Sequence, residues 1–166
     1  MNSQPAQPSF SRLSDIHVAA LAELDDATNP HPWSGKQWLD SLSQHECFGV
    51  WQVQGNEATL AGFIVCMATL DEAEILLIAV APQHQRQGLG TQLLQYAETT
   101  LAREGVQKLF LEVRDSNVSA RAFYCAHGWQ ETGRRKNYYR CEPENGQNRE
   151  DAILCSKTLT LTEAPQ

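Results

Sequence analysis

The sequence has 166 residues, 42% of them hydrophobic and 20% charged, and its formal net charge is −7 with a pI near 5.2. This length predicts a single domain with a sizeable core. The acidic balance disfavours nonspecific binding to nucleic acid or to an anionic membrane and suits a cationic partner. We therefore expect neither direct nucleic-acid binding nor membrane association.

Cysteine usage and the composition of the first residues further narrow the class of protein. There are five cysteines, with no CxxC pair and no histidine at ligand spacing, which argues against a disulfide framework and against a metal site. The first eight residues lack the apolar core of a signal peptide, and no segment is long enough to span a bilayer. We expect a cytoplasmic protein whose folded domain covers residues 10–161. A flexible tail at 1–9 precedes this domain, and a second tail follows it at 162–166.

The first half of the chain predicts helices followed by an antiparallel meander. A short strand at 10–13 precedes a helix capped by Ser14 or Asp15, and Ser34 with Gln37 forms a capping box for a second helix. Two strands then follow at 47–53 and 58–70, separated by a hairpin turn.

The stretch 74–103 is the most informative part of the chain. An apolar run at 75–81 predicts a buried strand, ended by a proline, and a polar loop follows. From Thr91 the apolar positions recur with helical spacing, and Gly105 stands where a left-handed cap is expected. Gly88 and Gly90 allow a tight turn whose free N–H groups, beside Arg86, favour a phosphate.

Two missing motifs exclude some of the phosphate ligands that this turn could bind. The Walker pattern of nucleotide triphosphatases is absent, and the dinucleotide fingerprint lacks its third glycine because Leu93 occupies that place. A nicotinamide-dependent oxidoreductase is therefore disfavoured. A turn that binds no ligand remains the plain alternative for this glycine spacing.

The second half predicts strands alternating with a helix. A strand at 108–114, parallel to the strand at 75–81, leads to a short helix at 118–127 and a strand at 129–135. A polar loop at 136–151 then precedes a last strand at 152–161. The sum is a single α/β domain, a mixed sheet of about seven strands with helices on both faces.

Glu112 and Tyr124 are the candidate catalytic residues. Strand alternation separates Leu111 from Glu112, and a carboxylate in mid-strand would be partly desolvated, as a general base near neutral pH requires. The alternative is that Glu112 simply pairs with Arg114 or another neighbour. Tyr124 could protonate a leaving group, although most such tyrosines are core residues.

Three further features have both a structural and a functional interpretation. Asn117 can cap the short helix or contact a ligand. Residues 134–139, which include Tyr138 and Tyr139, can form a solvated turn or a loop over a peptide. Trp33 can line a substrate groove or pack the first two helices together.

These motifs, in this order, resemble one subfamily of the GCN5-related N-acetyltransferases. The resemblance covers residues 15–159 and is with bacterial ribosomal-protein-alanine N-acetyltransferases of the RimI type. It rests on the stretches IAV at 78–80, QRQGLG at 85–90, LEVR at 111–114, SN at 116–117, FY at 123–124, RKNYY at 135–139 and REDAI at 149–153. The chain departs from the usual pattern at Trp129, where the family often has phenylalanine.

The resemblance implies a role for each matching position. Glu112 would be the general base and Tyr124 the general acid in transfer of acetyl from acetyl-CoA to the N-terminal alanine of a small-subunit ribosomal protein. Trp33, Tyr138 and Tyr139 would contact the substrate peptide. The residues implied to bind acetyl-CoA are Ile78, Ala79, Val80, Arg86, Gln87, Gly88, Leu89, Gly90, Thr91 and Asn117.

Two alternatives remain open from the sequence. The acceptor could be another protein N-terminus, a lysine or a small amine, because acceptor choice depends on variable loops. The chain could also be a non-catalytic acyl-CoA-binding partner or sensor, although the presence of both Glu112 and Tyr124 argues against this.

Overall fold

The computed structural model describes residues 7–141 and 149–160. The predicted tails at 1–9 and 162–166 lie outside this range except for residues 7–9, as does the middle of the predicted loop at 136–151. Over the described residues, no helix combines the length and the apolarity needed to cross a membrane. Within the same ranges, no group of three or more His, Cys, Asp or Glu side chains is placed to hold a metal ion.

The described residues form seven strands in one mixed sheet with the order β1-β2-β3-β4-β5-β7-β6. The strands are β1 (Ser9–Arg12), β2 (Glu46–Gln54), β3 (Glu57–Thr69), β4 (Glu72–Val80), β5 (Lys108–Arg114), β6 (Gln130–Arg140) and β7 (Arg149–Thr158). The helices are α1 (Val18–Thr28), α2 (Gly35–Gln44), α3 (Leu89–Arg103) and α4 (Val118–Ala126), with short 3-10 turns at Asp15–His17 and Pro82–His84. The fold is the predicted single-domain α/β sandwich.

Helices cover both faces of the sheet and create two cores. Helices α1 and α2 pack over β2, β3 and β4, and the core beneath them includes Leu21, Trp38 and Phe63. On the opposite face α3 and α4 cover a larger core that includes Leu94 and Leu111. None of the described helices packs over the α1-side face of β5, β6 and β7, which leaves polar side chains of these strands accessible.

Local capping signals were predicted correctly. Ser34 caps α2, accepting a hydrogen bond from the backbone N–H of Gln37 at 3.3 Å while its own N–H donates to the Gln37 side chain at 2.8 Å. Gly105 follows α3 with φ of 99°. These signals depend only on neighbouring residues, so the sequence contains them in full.

The prediction of a polar loop at 136–151 is wrong at both ends. Strand β6 continues to Arg140, and β7 begins at Arg149 rather than at 152. The sequence pattern does not indicate these strand residues, because β6 is an edge strand with almost every side chain exposed. Polar composition and exposure together imitate a loop when only the sequence is available.

The two central strands diverge after a short pairing. Strand β4 runs parallel to β5, but only Glu72–Glu74 pair with Lys108–Phe110. On β4, Leu76 is an extra residue, because Val65 of β3 lies opposite Leu77 and Cys66 lies opposite Ile75. Such a bulge bends its strand. The result is a gap between residues 75–80 of β4 and residues 111–114 of β5.

Candidate active site

A cavity of about 710 Å³ occupies the gap between β4 and β5. Its walls come from both strands, from α4 and its preceding turn, from the α1–α2 loop and from the facing ends of β6 and β7. The lining residues are Asn29, Pro30, His31, Ile75, Leu76, Leu77, Ile78, Leu111, Glu112, Val113, Arg114, Asn117, Ala120, Tyr124, Tyr139, Arg140, Cys141 and Glu150. The structure thus brings five of the predicted site residues to one cavity: Ile78, Glu112, Asn117, Tyr124 and Tyr139.

Glu112 lies at mid-strand with its side chain 18% exposed. The burial pattern of β5 alternates as predicted, with Leu111 and Val113 buried and Glu112 half-buried between them. Its carboxylate Oε1 lies 2.8 Å from Nε of Arg135. The predicted partner Arg114 instead contacts Glu150, so the ion pair of Glu112 involves a residue that lies far away in the sequence.

Tyr124 is buried on α4, with 7% of its surface exposed. Burial raises the pKa of its phenol above the ordinary 10.0, because the charged phenolate is disfavoured away from water. Its ring packs against Trp129 with centroids 5.6 Å apart, and the Trp129 indole N–H donates to Glu98 at 3.2 Å. The tyrosine is therefore held as a neutral phenol that can donate a proton.

Asn117 caps helix α4. Its side-chain oxygen accepts a hydrogen bond from the backbone N–H of Ala120 at 3.2 Å. This confirms the structural interpretation of the residue. Because Asn117 also lines the cavity, its position at the mouth is compatible with a ligand contact as well.

Tyr139 is fixed by a network that the sequence did not reveal. The Arg114 guanidinium lies 4.5 Å from the centre of its ring, and Arg114 donates to Glu150 at 2.8 Å. Hydrogen bonds from Ser116 and Arg114 lower the pKa of Glu150, so this carboxylate remains ionised. Burial and the nearby charge of Glu112 raise the pKa of Tyr139. The signal available in the sequence was the acidic residue beside Arg149, at the start of β7.

Tyr138 and Trp33 are not among the residues that line the cavity. The ring of Tyr138 meets that of Tyr139 edge-on at 5.0 Å and is largely exposed. Trp33 packs against Trp38 at 4.9 Å, so the structure supports its role between the first two helices. The neighbours of Trp33 that do line the cavity include His31, for which the sequence analysis predicted no role.

A buried carboxylate fixes the α1–α2 loop beside the cavity. Asp25 has no exposed surface. It accepts hydrogen bonds from the Trp33 backbone N–H at 2.7 Å, the Trp38 indole at 3.2 Å and the Asn29 amide at 3.1 Å. Sequence alone gave Asp25 no role, because its partners lie on the next helix and loop.

The turn before α3 presents free backbone donors. Residue Gly88 caps the helix with φ of 80°, and Arg86 also adopts a left-handed conformation with φ of 61°. The Gln85 side chain donates to the Val80 carbonyl at 3.0 Å and ties the turn to the end of β4. In the described part of the chain, the N–H groups of residues 86–91 donate to no backbone carbonyl. These groups suit a phosphate at the positive end of a helix.

The fold and this site define a GCN5-related N-acetyltransferase. The sequence model of the acetyltransferase (GNAT) family matches residues 13–129. The chain belongs to this family and is an acetyl-CoA-dependent N-acetyltransferase.

Particular relatives narrow the subfamily. The chain is 35% identical over 152 residues to the [ribosomal protein bS18]-alanine N-acetyltransferase of Escherichia coli K12, covering 92% of this chain and 98% of that protein. The crystal structure of the ribosomal-protein-S18-alanine N-acetyltransferase from Escherichia coli superposes with a TM-score of 0.81 at 32% identity, covering 95% and 97% of the two chains. A GNAT acetyltransferase from Elizabethkingia anophelis, solved with acetyl-CoA bound, gives a TM-score of 0.70 at 25% identity over 92% and 98%.

The residues present fit coenzyme A. The free N–H groups at 86–91 suit its diphosphate, and the gap beside residues 75–80 exposes an unpaired strand edge for its amide-bearing arm. A Cβ added to Gly90 would lie 3.7 Å from Val80 and 3.9 Å from Phe123, so the fold itself has room for a side chain there. The absence of a side chain at Gly90 is therefore consistent with a ligand that approaches the backbone.

Proposed function

We propose that the protein transfers acetyl from acetyl-CoA to the N-terminal α-amine of a ribosomal protein of the bS18 type, at alanine. The observation that carries this proposal is one cavity that contains Glu112, Tyr124 and Tyr139 between diverging strands. The E. coli relative named for this reaction is similar over nearly the whole chain, which supports the choice of acceptor.

Glu112 is the proposed general base. An α-amine has a pKa of about 8, so most acceptor molecules arrive as ammonium at neutral pH and must lose a proton. The Glu112 carboxylate, at the wall of the cavity, accepts that proton directly or through water. General-base catalysis of this kind contributes roughly 10²–10⁴-fold.

Tyr124 is the proposed general acid. Acetyl-CoA supplies, when bound, an acetyl group activated as a thioester. The Tyr124 hydroxyl gives its proton to the departing sulfur, and burial keeps that proton on the oxygen until it is needed. No covalent intermediate on the protein is required, so positioning of the two substrates accounts for much of the rate.

The remaining predicted residues hold the substrates. Residues 78–80 and 86–91 bind the coenzyme, and Asn117 contacts it at the cavity mouth. Tyr139 lines the acceptor side, with Tyr138 and Trp33 at its border. The net charge of −7 favours approach of a basic N-terminal tail.

Intact-mass and fragment analysis of acetyl-CoA reactions with peptides beginning Ala-Arg tests this proposal. We expect one acetyl group, placed on the α-amine, and a roughly hundredfold lower kcat for Glu112→Gln. Glu131→Gln is the matched control, because Glu131 pairs with Arg121 and does not line this cavity. It should retain normal activity.

Different products would point to the alternatives. Acetylation of an internal lysine in an N-terminally blocked peptide, with none at the α-amine of the free Ala-Arg peptide, would identify a lysine acetyltransferase. Coenzyme binding without transfer to any amine would identify a non-catalytic binding protein. An unchanged kcat in Glu112→Gln would remove this residue from its proposed role.

A further inference from the structure

A second cavity of about 410 Å³ adjoins the first at Leu111 and Glu112. It lies over the part of the sheet that no described helix covers, where β4 and β5 still pair. Its lining residues are Met67, Thr69, Glu72, Ala73, Glu74, Phe110, Leu111, Glu112, Thr132, Arg135, Leu154 and Cys155. Glu112 thus lines both spaces.

The charged groups of this second cavity are unbalanced. Three carboxylates line it, on Glu72, Glu74 and Glu112, against the single guanidinium of Arg135. Arg135 is paired with Glu112 at 2.8 Å. Among the described residues, Glu74 is within 4.0 Å of no cationic nitrogen. The cavity therefore contains one cation and three carboxylates.

The electrostatics of Glu74 agree with this picture. Burial raises the pKa of Glu74, and the charge of Glu112 adds to that effect, whereas Arg135 acts in the opposite direction. Glu74 therefore senses both members of the ion pair. The Cα of Glu74 lies opposite the Cα of Phe110 on β5. Phe110 lies two residues before Glu112, on the same face of that strand.

The ion pair poses a problem for the proposed reaction. The acceptor ammonium must reach the Glu112 carboxylate, but the Arg135 guanidinium already contacts it. Arg135 is the more exposed partner, since 57% of its side chain is accessible against 18% for Glu112. Arg135 holds only Oε1, so an acceptor ammonium that binds both oxygens of the Glu112 carboxylate competes with Arg135, and a second carboxylate nearby lowers the cost of moving the guanidinium.

We propose that Arg135 is a displaceable partner of Glu112, and that Glu74 receives its guanidinium when the acceptor ammonium binds. Glu74 and Arg135 are then positioning residues that control access to the base. This proposal rests on the proposed function, because it takes Glu112 as the group that meets the ammonium. Glu72 is less suited to this role, since it is exposed and lies opposite Lys108 in the parallel pair.

A double-mutant cycle on acceptor binding tests the exchange. Glu74→Gln, Arg135→Gln and the double variant are compared for the KM and kcat of the Ala-Arg peptide, with acceptor Kd measured by calorimetry in the presence of coenzyme A. We expect Glu74→Gln to raise acceptor KM and Kd roughly fivefold in the native background and to have no effect in Arg135→Gln, with coupling in the range seen for contacting charges. The KM for acetyl-CoA should stay unchanged in every variant.

Glu72→Gln is the matched control, because it removes the same charge from the same cavity. If Glu74 simply attracted cationic peptides, Glu72→Gln would have a similar effect and the effect of Glu74→Gln would persist without Arg135. Either that persistence or an unchanged acceptor Kd in Glu74→Gln overturns the proposal. Failure of the proposed function is distinct, because the native enzyme would then place no acetyl group on the α-amine of the Ala-Arg peptide.

Discussion

Tyr124 shows how burial can prepare a side chain for one protonation state. The phenol lies on the cavity wall, packed against Trp129, and the surrounding apolar core disfavours its ionised form. A general acid needs this property, because a phenol that ionised early would lose the proton it has to donate.

The raised pKa of Tyr124 predicts the alkaline behaviour of the enzyme. Because the folded-state pKa lies above 10.0, the proton is retained through pH 10, and kcat should show no decline due to Tyr124 below that pH. Tyr124→Phe should lower kcat roughly tenfold to hundredfold while the unfolding midpoint stays close to native. A pH–kcat profile to pH 10 measures the retention of the proton. Thermal unfolding followed by circular dichroism measures the unfolding midpoint.

Two results would contradict this assignment. A decline in kcat below pH 9 that Tyr124→Phe abolishes would show that the phenol ionises early. A fully active Tyr124→Phe variant would show that another group protonates the leaving sulfur.

At the scale of elements, the two glycines of the turn into α3 differ in whether the fold alone accounts for them. Gly88 has φ of 80°, so its backbone conformation alone favours glycine. Gly90 lies within α3, and a methyl group there would make ordinary contacts with Val80 and Phe123. The fold therefore explains the first glycine but not the second.

Gly90→Ala should leave stability unchanged or improve it, and should impair coenzyme binding. Alanine is favoured over glycine by about 1 kcal/mol inside a helix, which predicts an unchanged or higher Tm. A methyl group pointing at the diphosphate should raise the KM for acetyl-CoA roughly tenfold, with acceptor KM unchanged. Thermal unfolding and steady-state kinetics check the two parts, and an unaltered KM for acetyl-CoA would place the diphosphate elsewhere.

The α1–α2 loop depends on a single buried carboxylate. Asp25 accepts hydrogen bonds from Trp33, Trp38 and Asn29, and the same loop supplies Asn29, Pro30 and His31 to the cavity. A loop without such an anchor would sample several conformations and bind the acceptor less tightly.

Asp25→Asn should therefore raise acceptor KM several-fold without changing the KM for acetyl-CoA, because one carboxylate acceptor becomes an amide donor facing the Trp33 N–H. Glu98→Gln is the control, since Glu98 is also buried and accepts from an indole, that of Trp129, but lies outside the loop. Both variants should lose stability by about 1–3 kcal/mol. Equal effects of the two variants on acceptor KM would mean that the change in KM comes from lost stability and not from the anchoring of the loop.

At the scale of the whole molecule, the local parts of the structure were predictable and the long-range parts were not. The buried face of α3, the cap at Gly105 and the alternation around Glu112 follow from short-range periodicity. The partner of Glu112 does not, because Arg135 reaches it across β7 from the edge strand β6. The polar segment around Glu150 was predicted as a loop because its charges are paired only in the folded sheet.

The divergence of β4 and β5 is the feature on which the site depends. It arises from a bulge at Leu76 and from a parallel pairing that ends at Glu74, neither of which a single sequence reveals. The divergence joins the two faces of the sheet at one place. In the proposed reaction, it would allow a coenzyme held at the start of α3 to meet an acceptor that enters beside Tyr139.

Hydrogen exchange with and without coenzyme A tests this central claim most directly. We predict that coenzyme A slows amide exchange in residues 75–80 and 86–91, where strand edge and helix start present free N–H groups, and leaves exchange in β2 unchanged. Binding that protects only other segments, or no binding by folded protein, would contradict it.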